Sequence, residues 1–324
     1  MTTNDFIQNL TRELMAPRKD KEGNDKPGIT ESSATLYVKN LYNLNGKKPF
    51  KSLAFLKKTA DIDGLLSGYA DSTKKSILGS VVGVMIMNKA AGYNKALQHY
   101  QELLAGKSKE LRQLENTNVK SDKQEANWSS MDEINKLKEE RYTKLKADIG
   151  KKMKIPVDDY EALLNYLIVS LYTATPPRRN LDYMKMVVVK NWSDKLPKDV
   201  NYYDVKNGRF VFNVYKTARK YGEHIVAVPA ELKEVITLYL KYHPTKLSYP
   251  FAFLVHHDGK PLSAVNSITR ILNKWFGKKI GSSMLRHIYL SSKYNIDDMK
   301  KDAADMAHSV EQARGYLKSD TPAE

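Results

Sequence analysis

Between residues 116 and 150 the chain turns polar and charged, and this interruption most limits what it can fold into. Apolar side chains fall into two blocks, one before and one after it, so the pattern calls for two cores rather than one. A length of 324 residues fits roughly two domains. In the first block, residues 16–28 carry two prolines and no apolar periodicity, which predicts a flexible arm over 1–29. From Ile29 the spacing becomes helical. Cap-type residues precede Leu36, Val38 and Leu41, short helices follow around Lys51–Lys58 and Ile62–Ala70, and an Asp/Ser cap at Asp71 opens a long apolar helix. With a further helix over about 92–115, residues 30–115 read as an all-α domain of four or five helices.

Residues 116–150 read as a charged linker that opens the second domain, with Ser129 or Ser130 starting a helix whose first turn holds Asp132 and Glu133. The second domain, 151–324, begins with a strongly apolar helix from Asp158. Strand signals come next: Tyr183–Val189, then Arg209–Tyr215 after an Asn207-Gly208 turn, then His224–Pro229. Helices are expected at 230–242, 263–276, 282–294, 297–306 and 309–318. The class is α+β: mostly helical, with a small three-stranded antiparallel sheet.

Composition narrows the partner. The net charge is +16, with no cysteine for a disulfide or thiolate metal site. Residues 1–100 hold 15 basic and 9 acidic side chains, 101–150 hold 10 of each, and 151–324 hold 28 and 18. Two basic segments around a neutral spacer suit a polyanion such as double-stranded DNA. No apolar run approaches the roughly 18 residues of a membrane span, and Met1–Phe6 lacks a charged-then-apolar leader pattern.

The chemistry lies near the C-terminus. Arg286 stands in Ser283-Met284-Leu285-Arg286, His308 in Met306-Ala307-His308-Ser309, and Tyr316 follows eight residues later. Guanidinium groups grip phosphate oxygens in a planar fork. A phenol attacks phosphorus once cations favour its deprotonation. Together they point to a phosphodiester broken by a tyrosine. The adjacent histidines of Val255-His256-His257-Asp258-Gly259 read as a turn rather than a metal site, and Asp297-Asp298 as a helix start.

These motifs, in this order, resemble the tyrosine recombinase (phage integrase) family. Residues 151–324 are similar to its catalytic domain and 30–115 to its SAM-like helical core-binding domain. The resemblance implies cleavage of one DNA strand through a 3′-phosphotyrosine link, religation by the reverse attack, no metal or other cofactor, and a homotetramer on two paired sites. It implies a viral or mobile-element integrase. The family's first arginine precedes an acidic residue by three, which selects Arg179 before Asp182, with Arg178 the alternative. Its hairpin lysine matches Lys216, with Lys220 second, and would protonate the leaving 5′-oxygen. Arg286 and His308 would hold the phosphate, and Tyr316 would be the nucleophile. The H-x-x-R box departs here: Ser283 replaces histidine, and serine cannot shuttle a proton as imidazole does. His287 reads as a packing or capping residue. Lys74, Lys75 and Lys89 are candidate DNA contacts of the first domain. Two other readings stay open: a DNA-binding architectural protein that lost catalysis, favoured by Ser283, and a relaxing enzyme of the type IB topoisomerase kind.

Overall fold

The computed structural model of the chain describes residues 3–19, 23–88, 92–116, 119–149, 152–245, 248–264, 266–293 and 296–317. They form two compact units, Met1–Thr117 and Asn118–Glu324.

The first unit holds α1 (Thr3–Met15), a two-residue ladder of β1 (Arg18–Lys19) with β2 (Asp25–Lys26), α2 (Glu31–Leu44), a 3₁₀ turn at Ala54–Lys57, α3 (Thr59–Ser67), α4 (Asp71–Asn88) and α5 (Asn94–Asn116). Thr30 caps α2 by accepting the Ser33 N–H, which satisfies one of the free donors at a helix start. In α4 the apolar run buries Ile77, Leu78, Val81, Val82, Val84 and Met85. Gly83 lets α4 approach α2 closely, since a Cβ there would meet the Tyr37 ring at 2.9 Å. The N-terminus differs from the expected arm. Phe6, Ile7, Leu10 and Leu14 fall on one helical stripe, and α1 buries Leu10 and Leu14 in the core of this unit.

The second unit opens before the expected boundary. Ser130 and Glu133 exchange backbone and side-chain hydrogen bonds at the start of α7 (Met131–Ile149), the reciprocal cap that its sequence suggested. Following α6 (Asp122–Glu125), α7 puts Ile134, Leu145 and Ile149 into the same core as α8 (Val157–Thr173). It therefore belongs to this unit and is more than a spacer.

The sheet is larger than three strands. Among the described residues it runs β6 (His224–Ala227), β5 (Arg209–Phe212), β4 (Asn201–Asp204), β3 (Met186–Val189), β7 (Phe251–Ala252), with β3 and β4 parallel and the other pairs antiparallel. The sequence concealed β4, whose four residues have polar ends, because strand signals need alternation over a longer run. Two-residue β7 is shorter still. α9 (Asn180–Met184) leads into β3, α10 (Ala218–Tyr221) lies in the β5–β6 connection, and α11 (Ala230–Tyr242) follows β6. The C-terminal helices are α12 (Ser267–Phe276), α13 (Ser282–Ser291), α14 (Ile296–Asp305) and α15 (Val310–Arg314). α8 is buried nearly all round, and α7, α11, α12 and α13 all pack on it.

Candidate active site

The Pro176-Pro177 pair ends α8, because a proline disfavours helical angles in the residue before it. The chain then runs extended into α9, where Arg179 is the N-cap residue with φ −77° and ψ 150°. Neighbours on extended backbone send their side chains to opposite sides, and the two arginines meet different surroundings.

Arg178 is buried and heavily engaged, although its Nη2 has no hydrogen-bond partner. Its Nε donates to Asp182 Oδ2 at 3.0 Å, and its Nη1 donates to the Asp305 carbonyl at 2.5 Å and to His224 Nδ1 at 3.1 Å. Its guanidinium lies 3.8 Å from the Phe212 ring centroid. His224 Nε2 in turn faces Asp305 Oδ1 at 3.7 Å. Burial and the Arg178 charge hold His224 below the usual histidine range, which leaves Nδ1 free to accept. Burial pushes the Asp182 carboxyl upward against the pull of Arg178. The acidic partner used to select Arg179 thus pairs with Arg178, four residues away.

Arg179 is half-buried, and its Nη1 is buried without a hydrogen-bond partner. Arg286, inside α13, is 6% exposed. Its Nε donates to the Pro177 carbonyl at 2.9 Å, while its Nη2 has no partner. Burial lowers its pKa, and Arg179 adds repulsion. His308 is 3% exposed, and both its ring nitrogens lack partners. Burial first, then Arg179, Arg286, Arg178 and Lys216, push its pKa down to about 4. The imidazole is therefore neutral at pH 7.

His308 is set in place by backbone. Ala307 takes φ 55°, reversing the chain after α14, and the His308 N–H donates to the Ala303 carbonyl at 2.7 Å. Thr217 Oγ1, next to Lys216 in the β5–β6 connection, donates to the Ala307 carbonyl at 2.6 Å. Ser309 then caps α15 through a reciprocal bond pair with Gln312. This short helix carries the chain to Tyr316, whose ring stacks at 5.5 Å and 18° on His308. The Tyr316 carbonyl accepts from His287 Nδ1 at 2.6 Å.

Arg179, Arg286, His308 and Tyr316 are thus brought within mutual electrostatic or ring contact, with the exposed Lys216 acting on His308 from the hairpin. Lys220 is exposed and lies over the Tyr221 ring at 5.1 Å. Ser283 is exposed in the first turn of α13. In the first unit Lys74 pairs with Asp71 at 3.3 Å, Lys75 is half-buried, and Lys89 lies outside the described residues. Gly259 turns the chain at φ 81°, as the Asp258-Gly259 pair predicted, and His256 and His257 face Glu161. No group of three metal-ligating side chains occurs among the described residues.

Two contacts escaped the sequence. His224 opens a strand and was given no role there, and His287, read as a packing or capping residue, packs on the Tyr316 ring and also donates to its carbonyl. Only their adjacency to the hairpin lysine and to Arg286 could have flagged them.

Chemically, the cluster presents unpaired guanidinium donors and a neutral imidazole beside a phenol, all in surroundings that strengthen their attraction for an anion. A singly charged phosphodiester matches that donor set.

No family model matches this chain, and no curated protein does. Among solved structures the chain is similar to one titled a crystal structure of XerA recombinase, at 13% identity over 98% of this chain and 94% of that one, with a TM-score of 0.41. A likeness at that score leaves the functional argument to the residues.

Proposed function

We propose that the chain is a DNA strand-breaking and rejoining enzyme of the tyrosine recombinase kind. The observation that carries this is the set of buried, partnerless nitrogens on Arg179, Arg286 and His308 beside the Tyr316 ring. Unpaired buried donors cost about 1–3 kcal/mol each, more when charged, so their persistence in one cluster is best explained by an anionic ligand.

In this mechanism Arg179 and Arg286 grip the non-bridging oxygens and His308 donates to one of them. The half-buried Tyr316 phenol gives its proton to solvent water and its oxygen attacks phosphorus, forming the O–P bond. The bond to the 5′-oxygen breaks, and Lys216 supplies that oxygen's proton. The 3′-phosphotyrosine keeps the phosphoester, so a 5′-hydroxyl from another strand reverses the steps without a nucleotide or metal. Preorganised donors aimed at developing charge supply much of the rate. Action as a homotetramer on paired sites, and an origin in a virus or mobile element, extend the proposal from the family resemblance alone.

Trapping tests it. Nicked duplexes tiled across the ends of the element encoding the chain are incubated with protein and resolved on denaturing gels. A covalent adduct that vanishes in Tyr316→Phe is the expected result. Tight, salt-sensitive binding without an adduct from either protein overturns catalysis and leaves the DNA-binding architectural reading, which the exposed Ser283 favours. Relaxation of supercoiled plasmid without paired sites would identify a topoisomerase instead.

A further inference from the structure

His287 follows Arg286 on α13, and its ring does two things at Tyr316. Nδ1 lies 2.6 Å from the Tyr316 carbonyl oxygen. The two rings also meet edge to face at 4.9 Å and 69°. A carbonyl only accepts, so Nδ1 carries the hydrogen, in the neutral ring or the cation alike. The segment it holds is short: α15 has five residues, and the Tyr316 N–H bonds back to Ala313 within it. Packing of Leu290, Met299, Ala303, Met306 and Ala313 anchors this region through apolar contact, which is non-directional. A hydrogen bond from α13 adds direction, and it comes from the residue beside the phosphate-gripping Arg286.

We propose that His287 is a positioning residue for the nucleophile: its Nδ1–H holds the Tyr316 backbone to α13, so that Arg286 and the phenol keep one spacing. This rests on the proposed role of Tyr316. Placement errors of about 1 Å at a reacting centre can reduce rates by about 100-fold, whereas binding of the DNA backbone depends on many phosphate contacts and changes little.

The experiment compares two full-length variants. His287→Phe keeps a ring and loses the donor; His287→Asn keeps a donor near the Nδ1 position and loses the ring. Single-turnover cleavage of the nicked duplexes at saturating protein is read beside DNA affinity, and trypsin cleavage after Arg314 is read without DNA. The expected result is a rate about 10- to 100-fold lower in His287→Phe, with affinity within about twofold, faster proteolysis, and near wild-type values for His287→Asn. A duplex with sulfur at the bridging 5′-position adds a second discriminator. Its thiolate leaves without needing a proton, so it restores Lys216→Ala but not His287→Phe.

Should His287→Phe fail to fold, His287→Leu takes its place. A slow Asn variant beside a normal Phe variant overturns the hydrogen bond in favour of ring packing. Equal slowing of both, or wild-type rates in both, also overturns the proposal. No adduct from wild type defeats the reading of Tyr316 itself, and the proteolysis comparison then still reports whether His287 holds the segment.

Discussion

Arg178 and Arg179 are neighbours in sequence, yet they belong to two regions organised on opposite principles. Around Arg178 most of the guanidinium has found a protein partner: Asp182, His224, the Asp305 carbonyl and the Phe212 face converge on it, although its Nη2 is buried without a hydrogen-bond partner. Around Arg179, Arg286 and His308, buried nitrogens are left without one. The first arrangement is what a folded interior requires of a buried charge. The second is tolerated only where something else completes it. Through its Nε and Nη1, Arg178 ties α9, β6 and the end of α14 together. Its neighbour, held on the other side of an extended backbone, stays available for an anion.

Replacing each arginine with glutamine is the sharpest way to break this contrast. Arg178→Gln strips a buried carboxyl of its counter-charge, and losing one partner of such a pair costs about 3–5 kcal/mol. The expectation is a folding defect seen in urea denaturation. Arg179→Gln should leave stability within about 1 kcal/mol of wild type, because Arg179 Nη1 has no hydrogen-bond partner to lose, while lowering single-turnover DNA cleavage about 100- to 1000-fold. Full stability with lost cleavage in Arg178→Gln would exchange the two assignments.

A second test works through His308. Its folded pKa of about 4 lies below the ordinary 6.5, so folding favours the neutral ring. The stability tied to this is complete above about pH 6.5 and is lost as pH falls toward 4. At about 1.4 kcal/mol per unit, the full swing is about 3 kcal/mol. Burial and Arg178 depress His224 in the same direction, so the comparison is between wild type and His308→Gln at each pH. The variant should show a flatter decline in urea midpoint. A bound anion offsets the repulsion from Arg179, Arg286, Arg178 and Lys216, so sulfate, whose charge is constant across this range, should bind wild type more tightly at pH 5.5 than at pH 7.5. An unchanged pH slope in the variant would mean that His308 is not held among cations.

What the sequence disclosed follows the range of the interactions involved. Helix-scale patterns were legible: the Thr30 cap, the apolar run of α4, the Ser130 start of α7 and the hairpin leading to β6 each depend on residues close in the chain. Arg286, His308 and Tyr316 were legible by order and spacing. Contacts spanning long separations were not. Arg178 reaches Asp305 across 127 positions and Thr217 reaches Ala307 across 90, and no local pattern encodes either. The spacing rule that chose Arg179 pointed to an acidic residue that in fact pairs with Arg178 at four residues. The strands β4 and β7 were too short to alternate, and α1 was hidden by the proline-rich stretch that follows it.

The smallest test concerns the hinge that sets His308. Ala307 adopts φ 55°, a conformation that costs an L-residue roughly 1–2 kcal/mol. Ala307→Gly removes that strain but gives the unfolded chain more freedom, which offsets about 0.4–1 kcal/mol. The net expectation is a gain of up to about 1 kcal/mol in urea denaturation. Cleavage should change little, because the Thr217 hydroxyl and the His308 N–H both bond to backbone carbonyls that glycine retains or leaves untouched. A stabilised variant that cleaves more slowly would show that the strained turn, and not those two hydrogen bonds, holds the imidazole against the arginines. The available side of the comparison would then depend on stored strain, where the engaged side depends on paired charge.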